Sequence, residues 1–467
     1  MESNNASTVL ESVSSKITKV LAHHNAPGAS VGIVDESGLS EFKSFGFADL
    51  VTHANIEPET VFRVGSITKT FTGSAIFKLQ DEGELSIDDP LTKYLPEFAT
   101  ASSKHADINM VTLRRLLCHH SGLVGELPGG YWNTLKFPDL KWFLNNLDKA
   151  EVVLQPDQAF KYSNLAFTLL GELVTRVTNT DVTKYIEQEF LSPLGMKAST
   201  FCLNQESEAK CATGYHVVKN QPAPLVAEHP MLHGHTAAGQ LYSTTRDLAK
   251  WIAFQVKAYD DSHPDTSVLS KIIRKQMHRP MFMNEDWTEG YGMPWWSTRM
   301  AGQAWVGHSG LVHGFTSTTW FCPAKHVGVI ILANSDGHPA NHEISTILAD
   351  VIVSASAKKS VPEKAGLHQI PTNFKEYTGS YEGIMGSEAV IEFKAGQLWF
   401  IENPFAWQTL PPAKLLETPD AEAFQFTAGR AAGELLKFRR ASDGSITGFD
   451  AAGFPYKKTG EDPLETA

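Results

Sequence analysis

Basic runs, long apolar stretches and clustered cysteines are all scarce in this chain of 467 residues, and each scarcity excludes a class of function. Forty Lys and Arg stand against 52 Asp and Glu, a net charge of −12 with no basic tract, so nucleic acid and anionic membrane are not expected partners. No apolar stretch approaches the roughly 20 residues of a membrane span. The opening residues Met1-Glu2-Ser3-Asn4-Asn5-Ala6-Ser7 carry neither a basic nor an apolar leader region, and the expected location is therefore cytoplasmic. The four cysteines, Cys118, Cys202, Cys211 and Cys322, lack metal-ligand spacing. Buried free thiols are expected, with a Cys202–Cys211 bridge as the alternative. Eighteen histidines invite a metal, yet the closest clusters, His119-His120 and His233-Gly234-His235, show no zinc-type pattern. No metal and no cofactor are expected.

What is present suits a globular protein: 42% hydrophobic and 20% charged residues, in a chain long enough for more than one domain. The apolar spacing of Val9, Leu10, Val13, Ile17, Val20 and Leu21 predicts an amphipathic helix over 8–24. Residues 27–34 and 41–48 read as two strands of a hairpin with its turn at Glu36-Ser37-Gly38. Ile67, Phe71, Ala75, Ile76 and Leu79 predict a second helix from Ser66 to Gln80, stopped at Gly83. Val111–Leu117 reads as a capped helix, and 124–156 as a loop-rich segment in which Gly129-Gly130-Tyr131-Trp132-Asn133 could line a pocket. An apolar helix follows Asn164, and 237–248 reads as a strand edge leading into a capped helix. Thr316–Phe321 and Val327–Leu332 read as neighbouring core strands, and 342–357 as a closing helix. Beyond a polar, proline-containing linker the segments turn short, β-like and glycine-punctuated, as in a small antiparallel barrel or sandwich. The resulting division is 1–357, a linker at 358–370, and a β domain over 371–467.

Three short motifs carry chemistry. Ser66-Ile67-Thr68-Lys69 puts a hydroxyl and an amine on one helix face, about 5–6 Å apart at Cβ. Serine needs an adjacent base to become a nucleophile, and a lysine serves only where its surroundings lower its proton affinity. On its own the spacing is commonplace; a capped helix with a solvated lysine would produce it. Tyr162-Ser163-Asn164 and His308-Ser309-Gly310, each at the mouth of a regular element, turn the argument toward catalysis. His313, Tyr131, Trp132 and Trp295 are weaker pocket candidates, since aromatics in long loops commonly just pack.

In this order the three motifs resemble the serine β-lactamase and penicillin-binding-protein superfamily, whose signature opens with Ser-x-x-Lys. Tyr162-x-Asn164 is similar to the class C β-lactamase, D-aminopeptidase and esterase branch. The resemblance covers about residues 8–355, and the C-terminal part resembles the lipocalin-like barrel appended to some members. It implies an α/β fold with an antiparallel sheet flanked by helices, a helical subdomain and a small C-terminal β-barrel. It implies Ser66 as acyl-accepting nucleophile, with Lys69 and Tyr162 sharing proton transfer. Asn164, His308 and Gly310 would bind substrate, and the backbone N–H groups of Ser66 and Leu311 would form the oxyanion hole. Where β-lactamases commonly carry Lys-Thr-Gly or Lys-Ser-Gly, this chain has His308-Ser309-Gly310, which favours ester, D-peptide or thioester-like substrates over efficient penicillin hydrolysis. The expected activity is hydrolysis of an ester, amide or lactam bond of a small molecule or short peptide. The alternatives are an acyltransferase or peptide cyclase using the same acyl-enzyme, or an acyl sensor without turnover. Oligomeric state is left open.

Overall fold

The computed structural model describes residues 8–218, 221–354, 372–384, 387–394, 396–403 and 412–460. The linker expected at 358–370 lies outside them. The elements that matter for the site are, in chain order, α1 (Val9–His23), β1 (Gly28–Asp35), β2 (Gly38–Gly46), α2 (Thr68–Asp81), α3 (Asn164–Thr178), α4 (Thr245–Val256), β3 (Gln303–Val312), β4 (Phe315–Cys322), β5 (Val327–Ala333) and α5 (Ala340–Ser354). Contacts divide the chain into two units. The first comprises Met1–Glu84, Thr178–His229 and Thr236–Lys358; the second comprises Leu85–Val177, Pro230–His235 and Lys359–Ala467.

The first unit is built on an eight-stranded sheet in the order β2-β1-β5-β4-β3, continued by the short strands Trp296–Met300, Glu289–Tyr291 and Phe282–Met283. Every pairing in this sheet is antiparallel. The β1–β5 register sets Val31 opposite Ile331, and both side chains are fully buried. Leu10, Val13, Ile17 and Leu21 of α1 meet Ile344 and Leu348 of α5 in one core with these strands. α4 packs against the sheet as well: a Cβ on Gly328 of β5 would meet Ile252 of α4 at 2.5 Å. α2 joins α4 through Phe71, stacked on Trp251 with centroids 4.2 Å apart; such pairs add about 0.5–1.5 kcal/mol beyond their buried area. Eleven of its fourteen residues are buried, so α2 is surrounded on nearly all sides rather than lying on a surface. It ends as expected: Gly83 has φ +80°, and the N–H groups of Gly83 and Glu84 bond to the carbonyls of Gln80 and Leu79 in a Schellman motif.

The second unit holds α3, several short helices and a closed eight-stranded barrel. The barrel strands are Gly379–Glu382, Glu388–Lys394, Gln397–Asn403, Ala413–Glu417, Ala423–Phe426, Leu435–Arg440, Ile446–Ala451 and Phe454–Gly460. Tyr381, Ile391, Phe400, Leu415, Phe426, Phe438, Phe449 and Tyr456 fill the interior. Closure removes the exposed edges that a small open sheet would present.

Two local expectations need correction, and a third gains detail. Within 237–248 the strand edge is confined to Tyr242–Ser243, which leads into α4 capped by Thr244 as expected, whereas 236–239 form a helical turn whose Ala237 and Ala238 carbonyls accept hydrogen bonds from Thr72 and Lys69 of α2. The stretch 124–156 is loop-rich as expected and contains two short helices, Tyr131–Thr134 and Leu140–Asn145. All four cysteines are free, with Cys202 exposed and Cys211 partly exposed, so neither the Cys202–Cys211 bridge nor uniform thiol burial holds.

Candidate active site

Ser66 lies in a tight turn, Gly65–Ile67, that runs straight into α2. Lys69 is in the first turn of that helix, and its side chain is wholly buried. Its ammonium donates to Ser66 Oγ at 3.1 Å and to the Ala238 carbonyl at 2.7 Å. Burying an amine costs several kcal/mol unless it is hydrogen-bonded, and this one is held where its only side-chain acceptor among these two partners is the serine hydroxyl.

Two glycines bring β3 against the serine turn. Gly65 has φ +49°, and a Cβ there would stand 2.8 Å from the Leu311 nitrogen and 2.9 Å from its carbonyl oxygen. A Cβ on Gly310 would stand 2.0 Å from the Val64 carbonyl oxygen and 2.9 Å from the Ser66 nitrogen. Ser317 of β4 donates to the same Val64 carbonyl at 2.8 Å. The backbone N–H groups of Ser66 and Leu311, the pair expected to face an oxyanion, therefore belong to directly adjoining segments.

His308 of β3 is buried and held at both nitrogens. Nδ1 lies 2.6 Å from the Ser309 carbonyl and Nε2 lies 2.9 Å from the Tyr291 hydroxyl. A carbonyl only accepts, so Nδ1 carries the proton and Nε2 accepts from Tyr291. Burial, and then the nearby charge of Lys69, pull the imidazole down to about 3. His308 is a neutral, fixed group, unlike the lysine found at this point in the β-lactamase pattern. Tyr291 was not legible as its partner, since it comes from a separate strand and carries no motif.

Tyr162 and Asn164 belong to the second unit. Ser163, buried between them, donates to the Val124 carbonyl at 2.8 Å and accepts from the Ala166 N–H at 3.0 Å. Ser163 is thus the N-cap of α3, which leaves the Asn164 side chain for another task. Asn164 Nδ2 donates to Glu126 Oε1 at 2.6 Å. The other oxygen of Glu126 takes the Tyr131 hydroxyl at 2.8 Å and pairs with His235 at 2.9 Å. His235 meets Thr168 of α3 at 2.6 Å. Burial pushes the Glu126 carboxyl up, but the charge of His235 and the three hydrogen bonds outweigh it and hold the group below its ordinary range. This network behind Asn164 joins loops and helices far apart in sequence, and no local spacing announces it. Tyr162 is partly exposed, with its ring 4.2 Å from that of His119. His119 Nδ1 accepts from the Ser163 N–H at 3.1 Å.

Of the weaker candidates, Trp295 is core, stacked 6.2 Å from Trp251, and Tyr131 is buried in the Glu126 network. His313, two residues beyond Leu311, is 9% exposed and packs on His216. Among the described residues, Glu36, Asp260 and His263 are the group able to hold a metal, with ligand atoms within 4.8 Å of one another. They sit on turns of the first unit and are partly exposed. Glu36 already pairs with His263 at 3.0 Å and His326 at 2.6 Å.

The β-lactamase family model matches residues 13–352. The chain is 28% identical over 308 residues to Protein flp of Staphylococcus aureus strain MRSA252, covering 66% of this chain and 59% of that protein. It is 29% identical over 262 residues to Beta-lactamase-like protein 2 of Dictyostelium discoideum, covering 52% and 45%. The chain thus spans about three-fifths or less of these relatives' own length. Among solved structures, the octameric penicillin-binding protein homologue from Pyrococcus abyssi aligns with a TM-score of 0.62 at 26% identity, covering 96% of this chain and 99% of that one. A class C β-lactamase aligns with a TM-score of 0.64 at 20% identity, covering 77% and 99%. With a family match across most of its length and the antiparallel sheet, serine turn and barrel in place, the chain belongs to the β-lactamase family.

Proposed function

We propose that this protein is a serine hydrolase that forms an acyl-enzyme on Ser66 and cleaves an ester, amide or lactam bond of a small molecule or short peptide. The observation that carries the reading is the wholly buried Lys69 Nζ 3.1 Å from Ser66 Oγ, at a turn where two glycines press the Leu311 backbone against that of Ser66. In this reading Ser66 Oγ attacks the carbonyl carbon while its single proton passes to the Lys69–Tyr162 base, one member of which is unprotonated at that moment, the lysine as amine or the tyrosine as phenolate. The same groups return a proton to the departing alcohol or amine, and water then releases the acyl group from Ser66. The Ser66 and Leu311 N–H groups stabilise the oxyanion in both steps, and Asn164 orients the substrate. His308, neutral and hydrogen-bonded at both nitrogens, offers no cation to a substrate carboxylate. That supports uncharged ester or amide substrates over penicillins.

The test is turnover of p-nitrophenyl acetate and butyrate, nitrocefin and a D-amino-acid p-nitroanilide, with intact mass spectrometry, on wild type and Ser66→Ala. Ester turnover should exceed nitrocefin turnover, and Ser66→Ala should lower it at least ~10³-fold. Equal rates for the two proteins across the panel, with no acyl adduct on wild type, would sink the assignment. A Ser66-dependent adduct without turnover would replace hydrolysis by acyl transfer to a missing acceptor or by a stalled acyl sensor.

A further inference from the structure

The barrel contributes more than a fold. Its connection between the strands Ala423–Phe426 and Leu435–Arg440 runs over residues 427–434 and packs within the second unit on the segment that carries Tyr162. Lys161, wholly buried, forms an ion pair with Glu434 and donates to the Arg430 carbonyl at 3.0 Å. Gly433, at φ +80°, lies so close that a Cβ would meet Leu154 at 2.4 Å. Ala432 shares a small core with Val153 and Leu154. At the neighbouring turn, Phe454 lies 6.5 Å from the ring of Trp132. Held by these contacts, the Arg430 guanidinium stands 5.9 Å from the Tyr162 ring centroid and 5.0 Å from that of Phe454.

We propose that Arg430, delivered by the barrel, is a positioning residue for Tyr162: it holds the phenol ring and stabilises its deprotonated form. A surface arginine that merely covers apolar area would produce the Phe454 contact alone. Here the backbone carbonyl of Arg430 is bound by the residue next to Tyr162, so anchor and target are adjacent in sequence. Guanidinium stays charged at any working pH, and a cation within about 6 Å of an aromatic ring is attracted to it. A neighbouring positive charge also favours phenolate over phenol. Other titratable groups of the second unit at this place include His119, tilted against the ring, and the Lys161–Glu434 pair next to it in sequence, and Arg430 also faces the buried Glu402 carboxyl that Tyr456 hydrogen-bonds. The ion pair is internally neutralised and His119 is an acceptor at Nδ1, while the Arg430 guanidinium brings a full positive charge to within 5.9 Å of the phenol ring centroid.

The proposal builds on the reading of Tyr162 as a proton-transfer residue, and its test separates the two. Tyr162 ionisation is measured on the full chain as the tyrosinate absorbance titration of each protein minus that of the same protein carrying Tyr162→Phe. Arg430→Met keeps the aliphatic packing and Arg430→Lys keeps the charge. In Arg430→Met the Tyr162 midpoint should rise by about one pH unit or more, with the lysine variant recovering part of the shift. If Tyr162 acts in catalysis, kcat for p-nitrophenyl acetate should also fall about tenfold with little change in KM, and its acidic limb should move up with the midpoint. An unchanged midpoint in Arg430→Met overturns the proposal. Full ester turnover by Tyr162→Phe would instead overturn the catalytic reading of Tyr162, while the absorbance comparison still decides what Arg430 does.

Discussion

Single atoms decide whether the serine turn can exist. The 2.0 Å separation between a hypothetical Gly310 Cβ and the Val64 carbonyl oxygen leaves no rotamer by which alanine could be accommodated, because a backbone atom is the obstacle. Relieving the clash must push β3 away from the turn and carry the Leu311 N–H with it. Gly310→Ala should therefore reduce ester turnover by about 10²-fold or more, the scale of losing one oxyanion donor. Gly302, at φ +78° with nothing near its Cβ position, supplies the control: alanine there strains a turn but leaves turnover unchanged. Steady-state kinetics and thermal melts on the two variants check this, and equal turnover losses would refute the local argument. Gly65, just before Ser66, and Gly310, the last residue of the third motif, are both visible in the sequence. What each approaches is not, since the contact joins residues more than 200 positions apart. The same limit hid Tyr291 behind His308 and Glu126 behind Asn164.

Helices were legible where their apolar spacing and stop signals agree. α1 runs over Val9–His23, nearly the span that its spacing gives, and α2 ends at the glycine assigned to stop it. The barrel was harder. Ala413–Glu417 reads Ala-Lys-Leu-Leu-Glu, good helix formers that the closed sheet overrides, and Ile446–Ala451 carries a glycine and an aspartate within six residues. A different piece of α1 lay beyond any local rule. Its first N–H groups are capped from the sheet: Glu41 of β2 accepts from Val9 at 3.1 Å and from Leu10 at 2.9 Å. A carboxylate on a helix N-terminus satisfies orphan donors and complements the helix dipole. Glu41→Ala should lower stability by about 1–2 kcal/mol, with Glu41→Gln intermediate because one acceptor oxygen remains. Urea unfolding measures both; a Glu41→Ala midpoint equal to wild type would show that Thr8 and water replace the cap.

Over the whole molecule, buried imidazoles tie stability to pH. Burial holds His308 and His338 down to about 3 and His120 to about 4, and it puts His278 well below its ordinary value. They occupy both units, so the effect belongs to neither alone. The sign follows from counting protons. Above pH 6.5, the ordinary histidine value, these groups are neutral in folded and unfolded chains and contribute no slope. As pH falls, the unfolded chain takes up protons that the folded one refuses, and stability drops until the folded value is reached. Each such histidine contributes at most about 1.4 kcal/mol per pH unit in that window. Glu289 works in the opposite direction: burial raises its carboxyl to about 7, so the folded protein holds that proton first. A comparison that cancels every other group isolates one imidazole. Between pH 6 and pH 4, wild type should lose stability faster than His308→Gln by about 1 kcal/mol per pH unit, although the variant starts lower at pH 7.5 because the pairing with Tyr291 and Ser309 is disturbed. Parallel stability curves for the two proteins would mean that His308 takes up its proton in the folded state near the ordinary value, and the neutral, doubly bonded imidazole drawn from the geometry would then be wrong.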